Sequence, residues 1–152
     1  MSHTSPASQQ GETPEENGRD LGETALIAHA LDEWYARLGR QFGPVTRPQR
    51  RMLRLLSVDT RVRVSDLGEQ LGLTTAGTTR MLDKLEALGY AARSRADQHD
   101  QRQVYVTLTP AGALALREAE DVYLERMQAL LSRLTPAERA KLAQLLRAIS
   151  EH

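Results

Sequence analysis

At 152 residues the chain has the length of about one domain, enough to bury a hydrophobic core. It contains no cysteine, which excludes a disulfide scaffold, a thiolate metal site and a thiol redox sensor. Its 20 Lys and Arg balance 20 Asp and Glu, but unevenly: residues 1–33 hold one Arg against seven acids, 34–106 hold thirteen basic residues against seven acids, and 107–152 hold six of each. A local basic patch governs attraction to phosphate, because exposed charges beyond ~10 Å are largely screened.

Residues 1–20 are polar, rich in Pro, Gly and Ser, and read as a disordered tail, either inert or a regulatory arm. Residues 21–152 read as a single domain. A first helix is predicted from about Glu23 to Gln41, with Leu26, Ile27, Ala30, Leu31, Trp34, Tyr35 and Leu38 on one apolar face. Gly43-Pro44 closes it. A second helix starts near Arg47, with Pro48 suited to its first turn, and runs to about Val58. An extended piece, Arg61 to Val64, follows. Ser65 is the expected N-cap of a third helix from Asp66 to Leu71, and Gly72 makes the turn. Thr74 or Thr75 caps a fourth helix reaching about Leu88. Its core side is Met81, Leu82, Leu85 and Leu88, and Gly89 is its left-handed C-cap.

Two strands follow, Tyr90 to Arg95 and Val104 to Leu108, the second alternating Val104, Val106 and Leu108 against Tyr105 and Thr107. The hairpin tip, Ala96 to Arg102, is polar. A fifth helix begins after Thr109-Pro110 and extends to about Arg133, with Leu114, Leu116, Ala119, Val122, Tyr123, Met127, Leu130 and Leu134 as its stripe. Thr135-Pro136-Ala137-Glu138 is a capping box that opens a sixth helix, whose apolar face is Leu142, Leu145, Leu146 and Ile149.

Two short helices around a Gly turn, followed directly by a β-hairpin, spell a winged helix-turn-helix over about residues 47–108. The predicted fold class is therefore mainly α with a small β-wing. The flanking helices, about 23–41 and 110–150, carry more apolar surface than one winged module can cover. Dimerisation across a two-fold axis would cover it; an intramolecular bundle is the alternative.

In a helix-turn-helix the second helix enters the ~12 Å major groove by its N-terminal end. Here that end is Thr74, Thr75, Ala76, Gly77, Thr78, Thr79 and Arg80. Threonine hydroxyls can reach phosphates or base edges, threonine methyls can meet thymine methyls, and Arg80 can bind guanine or phosphate. Free N–H groups at a helix start favour phosphate, and Ala76 and Gly77 allow close approach. Ser65 and Lys84 complete this surface. On the wing, Arg93, Arg95 and Arg102 accompany Asp97, His99 and Asp100. An arginine at a hairpin tip can enter a narrow minor groove, with a carboxylate two residues earlier to orient it. Common helix caps and a solvated hairpin are the competing readings of these features.

These residues identify a resemblance to the MarR family of bacterial repressors, covering about residues 24–150. Asp100-Gln101-Arg102 followed by Val104-Tyr105-Val106-Thr107-Leu108-Thr109-Pro110-Ala111-Gly112 is similar to the family's wing pattern of Asp-x-Arg, an apolar strand and Leu-Thr-x-x-Gly. Ser65-x-Leu67 and Thr79-Arg80, then Leu85-Glu86 and Gly89-Tyr90, resemble its third and fourth helices. The resemblance implies a homodimer on a pseudo-palindromic, double-stranded DNA operator. Thr74 to Arg80 would read the major groove and Arg102 would probe the minor groove, held by Asp100. The chain departs from the pattern at Thr75, often Pro, and at Thr78, usually apolar. Without cysteine it lies outside the peroxide-sensing branch that uses a reactive thiol.

The resemblance also implies a small effector, often aromatic or anionic, between the dimerisation helices and the winged module. Candidate lining residues are His29, Trp34, Tyr35, Arg37 and Arg51, with Trp34 as a core residue and Arg37 as a dimer or phosphate contact being the alternative. The four histidines are scattered, and neither a metal site nor a cofactor is expected. No nucleophile–base pair or phosphate loop points to an enzyme. Without a membrane-length apolar run or a signal peptide, a soluble cytoplasmic protein is expected. A regulator without an effector, an activator, and a winged protein-interaction module without DNA are the remaining alternatives.

Overall fold

The computed structural model describes residues 14–56, 58–95 and 103–151, with the backbone alone described for 14–20. The fold is mainly helical with a small antiparallel sheet, as expected. The chain divides into two compact units at Arg37–Leu38.

The first unit is described by α1 (Pro14–Leu38). The helix begins well before Glu23, so residues 14–20, read as tail, are helical in backbone. Pro14 is tolerated there because the first-turn N–H has no helical partner to lose. Residues 1–13 lie outside the described residues. The expected stripe forms but stays open: Leu26 is 72% and Ile27 62% exposed, and Trp34 is half-buried. The helix stops at Leu38 rather than Gln41, because the next residues pair in a hairpin. β1 (Gln41–Phe42) and β2 (Val45–Thr46) are antiparallel, with Phe42 opposite Val45 and both buried. Gly43-Pro44 is the tip of that hairpin.

In the second unit, a reciprocal capping box opens α2 (Arg47–Leu53): the Thr46 hydroxyl accepts from the Gln49 N–H, and the Gln49 side chain accepts from the Thr46 N–H at 2.8 Å. The helix ends short of Val58. Leu55 and Leu56 N–H groups donate to the carbonyls of Met52 and Leu53, a tightened last turn that tucks Leu56 into the core. β3 (Val62–Arg63) leads into α3 (Val64–Leu71), then α4 (Thr75–Ala87), β4 (Ala91–Arg95) and β5 (Val104–Leu108). The sheet order is β3-β5-β4, with Val106 opposite both Val62 and Arg93. Gly72 and Gly89 end the two helices at φ 65° and 74°, a region that glycine enters without Cβ strain.

α5 (Pro110–Leu131) is stitched to this module at its first turn. The Thr109 hydroxyl donates to the Gly89 carbonyl at 2.6 Å and accepts from the Gly112 N–H at 3.0 Å. Gly112 packs so closely on the Tyr90 carbonyl that a Cβ there has no room. The Leu-Thr-x-x-Gly pattern thus forms a close-packed junction between wing and helix. α6 (Pro136–Ser150) opens with the expected box, Thr135 with Glu138. These hydrogen bonds hold the Glu138 carboxyl below its ordinary value of 4.5.

The core joins Leu38, Phe42, Val45, Met52, Leu53, Leu67, Leu82, Leu85, Val106, Leu108 and Ala119. Leu88 and Leu114, both expected inside, are 48% and 67% exposed; Ala115 is the buried residue of that turn. α6 buries none of its residues, and Ile149 is 76% exposed. Among the described residues no helix is long and apolar enough to cross a membrane.

Candidate nucleic-acid interface

α4 is placed by its own pattern. Thr78, Leu82 and Leu85 recur at spacings of four and three and are all buried. The rest of its surface presents Thr75 and Thr79 on one flank and Ala76, Arg80, Asp83 and Lys84 opposite the buried stripe, all exposed. Thr74 is the N-cap, accepting from the Gly77 N–H at 3.1 Å. Thr78 does not join that outward surface. It is 1% exposed, its hydroxyl donates to the Thr74 carbonyl at 3.0 Å, and it packs against Gly68 of α3, where a Cβ would lie 2.7 Å from its oxygen. The polar residue in a usually apolar position is thus a satisfied core residue, which corrects its assignment as a DNA contact.

Ser65 is not the N-cap of α3. Arg63 holds that position with no side-chain cap bond, because β3 pairs with β5 up to Arg63 and the helix starts at once at Val64. Ser65 falls in the first turn, exposed, with its hydroxyl donating to Asp66 at 3.1 Å. An open groove of about 480 Å³ runs between α3, α4 and the base of the wing. Of the candidate DNA contacts, Ser65, Thr75, Thr78 and Thr79 line it. Arg63, Glu69 and Gln103 line it as well and were not anticipated. The strand just before Val64 was the available signal for Arg63; nothing local marks Glu69 or Gln103. Tyr105 steadies Gln103, its hydroxyl donating to the Gln103 side-chain oxygen at 2.8 Å, and the Arg61 guanidinium lies 5.4 Å above the Tyr105 ring.

The wing arginines divide. Arg95 is exposed at the end of β4. Arg93 turns onto α4, with Nη1 2.7 Å from Asp83 and 3.0 Å from Glu86, and Nη2 donating to the Thr79 carbonyl at 2.9 Å. Asp100 and Arg102, with the rest of the tip, lie outside the described residues.

Of the effector candidates, His29, Trp34, Tyr35 and Arg37 share α1, where Glu33 lies 3.5 Å from His29 and 4.0 Å from Arg37. Arg51 belongs to the second unit, exposed over a cavity of about 40 Å³ with Pro48, Leu71, Leu73 and Met81, too small for an effector. Among the described residues no cluster of three or more His, Asp or Glu could hold a metal.

Away from the groove, α2 is locked to α5. Arg50, 4% exposed, meets Glu120 at 2.6 Å and lies 3.7 Å above the Tyr123 ring, and Arg54 reaches the same carboxylate at 3.5 Å. No local pattern announces a pair 70 positions apart.

The MarR family pattern matches residues 45–104. An HTH-type transcriptional regulator of Bacillus subtilis, YfiV, is 36% identical over 88 residues, 56% of this chain and 54% of that protein. The chain spans about half the length of the first curated relatives it matches. Bordetella bronchiseptica BpsR, solved to explain regulation of its DNA binding by 6-hydroxynicotinic acid, is 27% identical, with a TM-score of 0.67 over 82% of this chain and 98% of that one. A mutant of Escherichia coli MarR complexed with operator DNA is 26% identical, with a TM-score of 0.67 over 91% of this chain and 99% of that one. With the capped α4, the wing strands and the Thr109–Gly112 junction in place, the chain is similar to the MarR family of transcriptional regulators, whose pattern residues 45–104 carry.

Proposed function

We propose that the protein is a homodimeric repressor that binds a pseudo-palindromic operator in duplex DNA and releases it when a small aromatic or anionic ligand binds. The observation that carries this reading is the division of α4 into a buried stripe, Thr78, Leu82 and Leu85, and an outward one, Thr75, Ala76, Thr79, Arg80 and Lys84. The outward surface combines hydroxyls and a small side chain for close approach at the end that enters a major groove, with Arg80 following and Lys84 in the last turn. Arg95 adds charge from the wing, and Asp100 with Arg102 carries minor-groove contact. The operator-bound MarR neighbour supports this arrangement.

In this reading residues 21–152 act as one functional domain, with about 47–108 as its DNA-reading module, and work in the cytoplasm. The exposed leucines and isoleucines of α1 and α6 are covered by a second copy. The BpsR neighbour supports a small ring-containing anion as the effector class. Such a ligand lowers DNA affinity only if it prefers a dimer whose recognition helices no longer match the operator spacing. Sedimentation combined with hydroxyl-radical footprinting tests the proposal. A dimer protecting two patches one helical turn, ~34–36 Å, apart is the expected result. A monomer, or a single protected patch, overturns it.

A further inference from the structure

Resting on that DNA-binding reading, we infer that Arg93 is a positioning residue: it fastens the wing to the recognition helix and commits its charge to that helix, not to DNA. Arg93 sits in the middle of β4, paired with Val106 of β5. Its guanidinium reaches the Asp83 carboxylate, the Glu86 carboxylate and the Thr79 carbonyl at 2.7, 3.0 and 2.9 Å. Its backbone N–H donates to the other Glu86 oxygen at 2.8 Å. Thr79, Asp83 and Glu86 follow one another at spacings of four and three, so one side chain spans two turns along a single side of α4. That side continues to Thr75, and both threonines line the groove. The planar guanidinium fork suits this three-way hold in a way a single ammonium does not.

The charges favour the same assignment. Two carboxylates on a helix that approaches phosphates oppose binding unless they serve another purpose. Here they flank a guanidinium whose side chain is only 25% exposed. Arg93 with Asp83 and Glu86 has a net charge of one negative, so the trio offers phosphate no free cation. Arg80 and Lys84 lie on the neighbouring outward stripe, where attraction is needed. The clamp adds a polar tie between two reading elements that also share the Leu88–Tyr90 turn and the core of Leu82, Leu85 and Val106.

The test uses the full-length protein and the duplex it enriches from a random-sequence pool, titrated at several salt concentrations. The double variant Asp83→Asn with Glu86→Gln removes two negative charges beside the DNA. A clamp predicts weaker binding by about tenfold, in the range of coupled contacts, with the salt slope unchanged. A direct phosphate contact predicts the opposite sign: freed from its acids, Arg93 tightens binding and steepens the slope by about 0.9. Arg93→Lys provides a second reading. The clamp predicts loss although the charge is kept, whereas a phosphate contact predicts retention. Tighter or unchanged binding in the double variant, or full retention in Arg93→Lys, overturns this inference alone. A wild-type protein that enriches no duplex overturns the regulator reading and this inference together.

Discussion

Replacing Glu120 by alanine strands a buried charge. Arg50 is 4% exposed, and Glu120, 2.6 Å away, is its closest counter-charge. Breaking a buried pair by removing one partner costs about 3–5 kcal/mol. Two features reduce that here: Glu120 is itself 29% exposed, so its site can rehydrate, and the Tyr123 ring 3.7 Å from the guanidinium still offers a cation–π contact. We expect a loss of about 3 kcal/mol. For a cooperative unit of about 115 residues, Leu38–His152, unfolding entropy of about 2.1 cal/mol/K per residue converts this to a fall in Tm of roughly 12 °C. Thermal and urea denaturation at matched protein concentration measures it, since self-association shifts apparent stability. The double variant Arg50→Met with Glu120→Leu replaces the pair by apolar side chains and is expected to recover most of the loss, to within about 1 kcal/mol of wild type. A single variant with unchanged Tm, or a double variant as unstable as the single, refutes the view that the penalty lies in an uncompensated guanidinium.

Gly112→Ala forces a Cβ onto the Tyr90 carbonyl, a backbone atom that cannot move aside, and is expected to lower stability by about 1–3 kcal/mol in chemical denaturation. Arg80→Ala is expected to weaken binding to the selected duplex by about 1–3 kcal/mol and to relax base preference at one position of each half-site, read by competition between single-base duplex variants. Arg102→Ala is expected to weaken duplex binding at matched salt while leaving the melting temperature of the protein unchanged. Because the Thr135 bonds hold the Glu138 carboxyl below its ordinary 4.5, the carboxylate favours the folded α6 above that value and loses this contribution as pH falls through its lowered pKa. The acid limb of α6 helicity, followed by circular dichroism, should therefore move in Glu138→Gln.

What could be read from residues alone depended on whether the deciding contact was local. The Thr135–Glu138 box, a cap at one of two adjacent threonines (Thr74) and the inward Val106 and Leu108 are local and match the expectation, whereas Val104 is only half-buried, like Tyr105. Ser65 looked equally local, yet strand pairing of Arg63 with Tyr105 started α3 earlier and moved the cap. The β1–β2 hairpin was hidden because Gly43-Pro44 suits a helix stop and a hairpin tip alike, and the buried Phe42 decides between them only through distant partners. Thr78 reads as polar on any scale, and its burial depends on Gly68 leaving room and on Thr74 accepting its proton. For the interface, the threonines and Arg80 of α4 were legible from helix-turn-helix order. Arg93 was legible as a wing arginine but not as a clamp, because Asp83 and Glu86 belong to another element. Arg63, Glu69 and Gln103 reach the groove through tertiary placement, which spacing does not encode.

The central claim is that the outward stripe of α4 and the wing read duplex DNA. Titration of the purified protein against the intergenic DNA upstream of its own coding sequence, beside a random duplex and at several salt concentrations, tests it most directly. The account predicts tight binding to the upstream fragment, a steep fall in affinity with salt, and a specificity ratio of at least about 10³ over the random duplex. Equal, weak binding to both fragments at every salt concentration would contradict it.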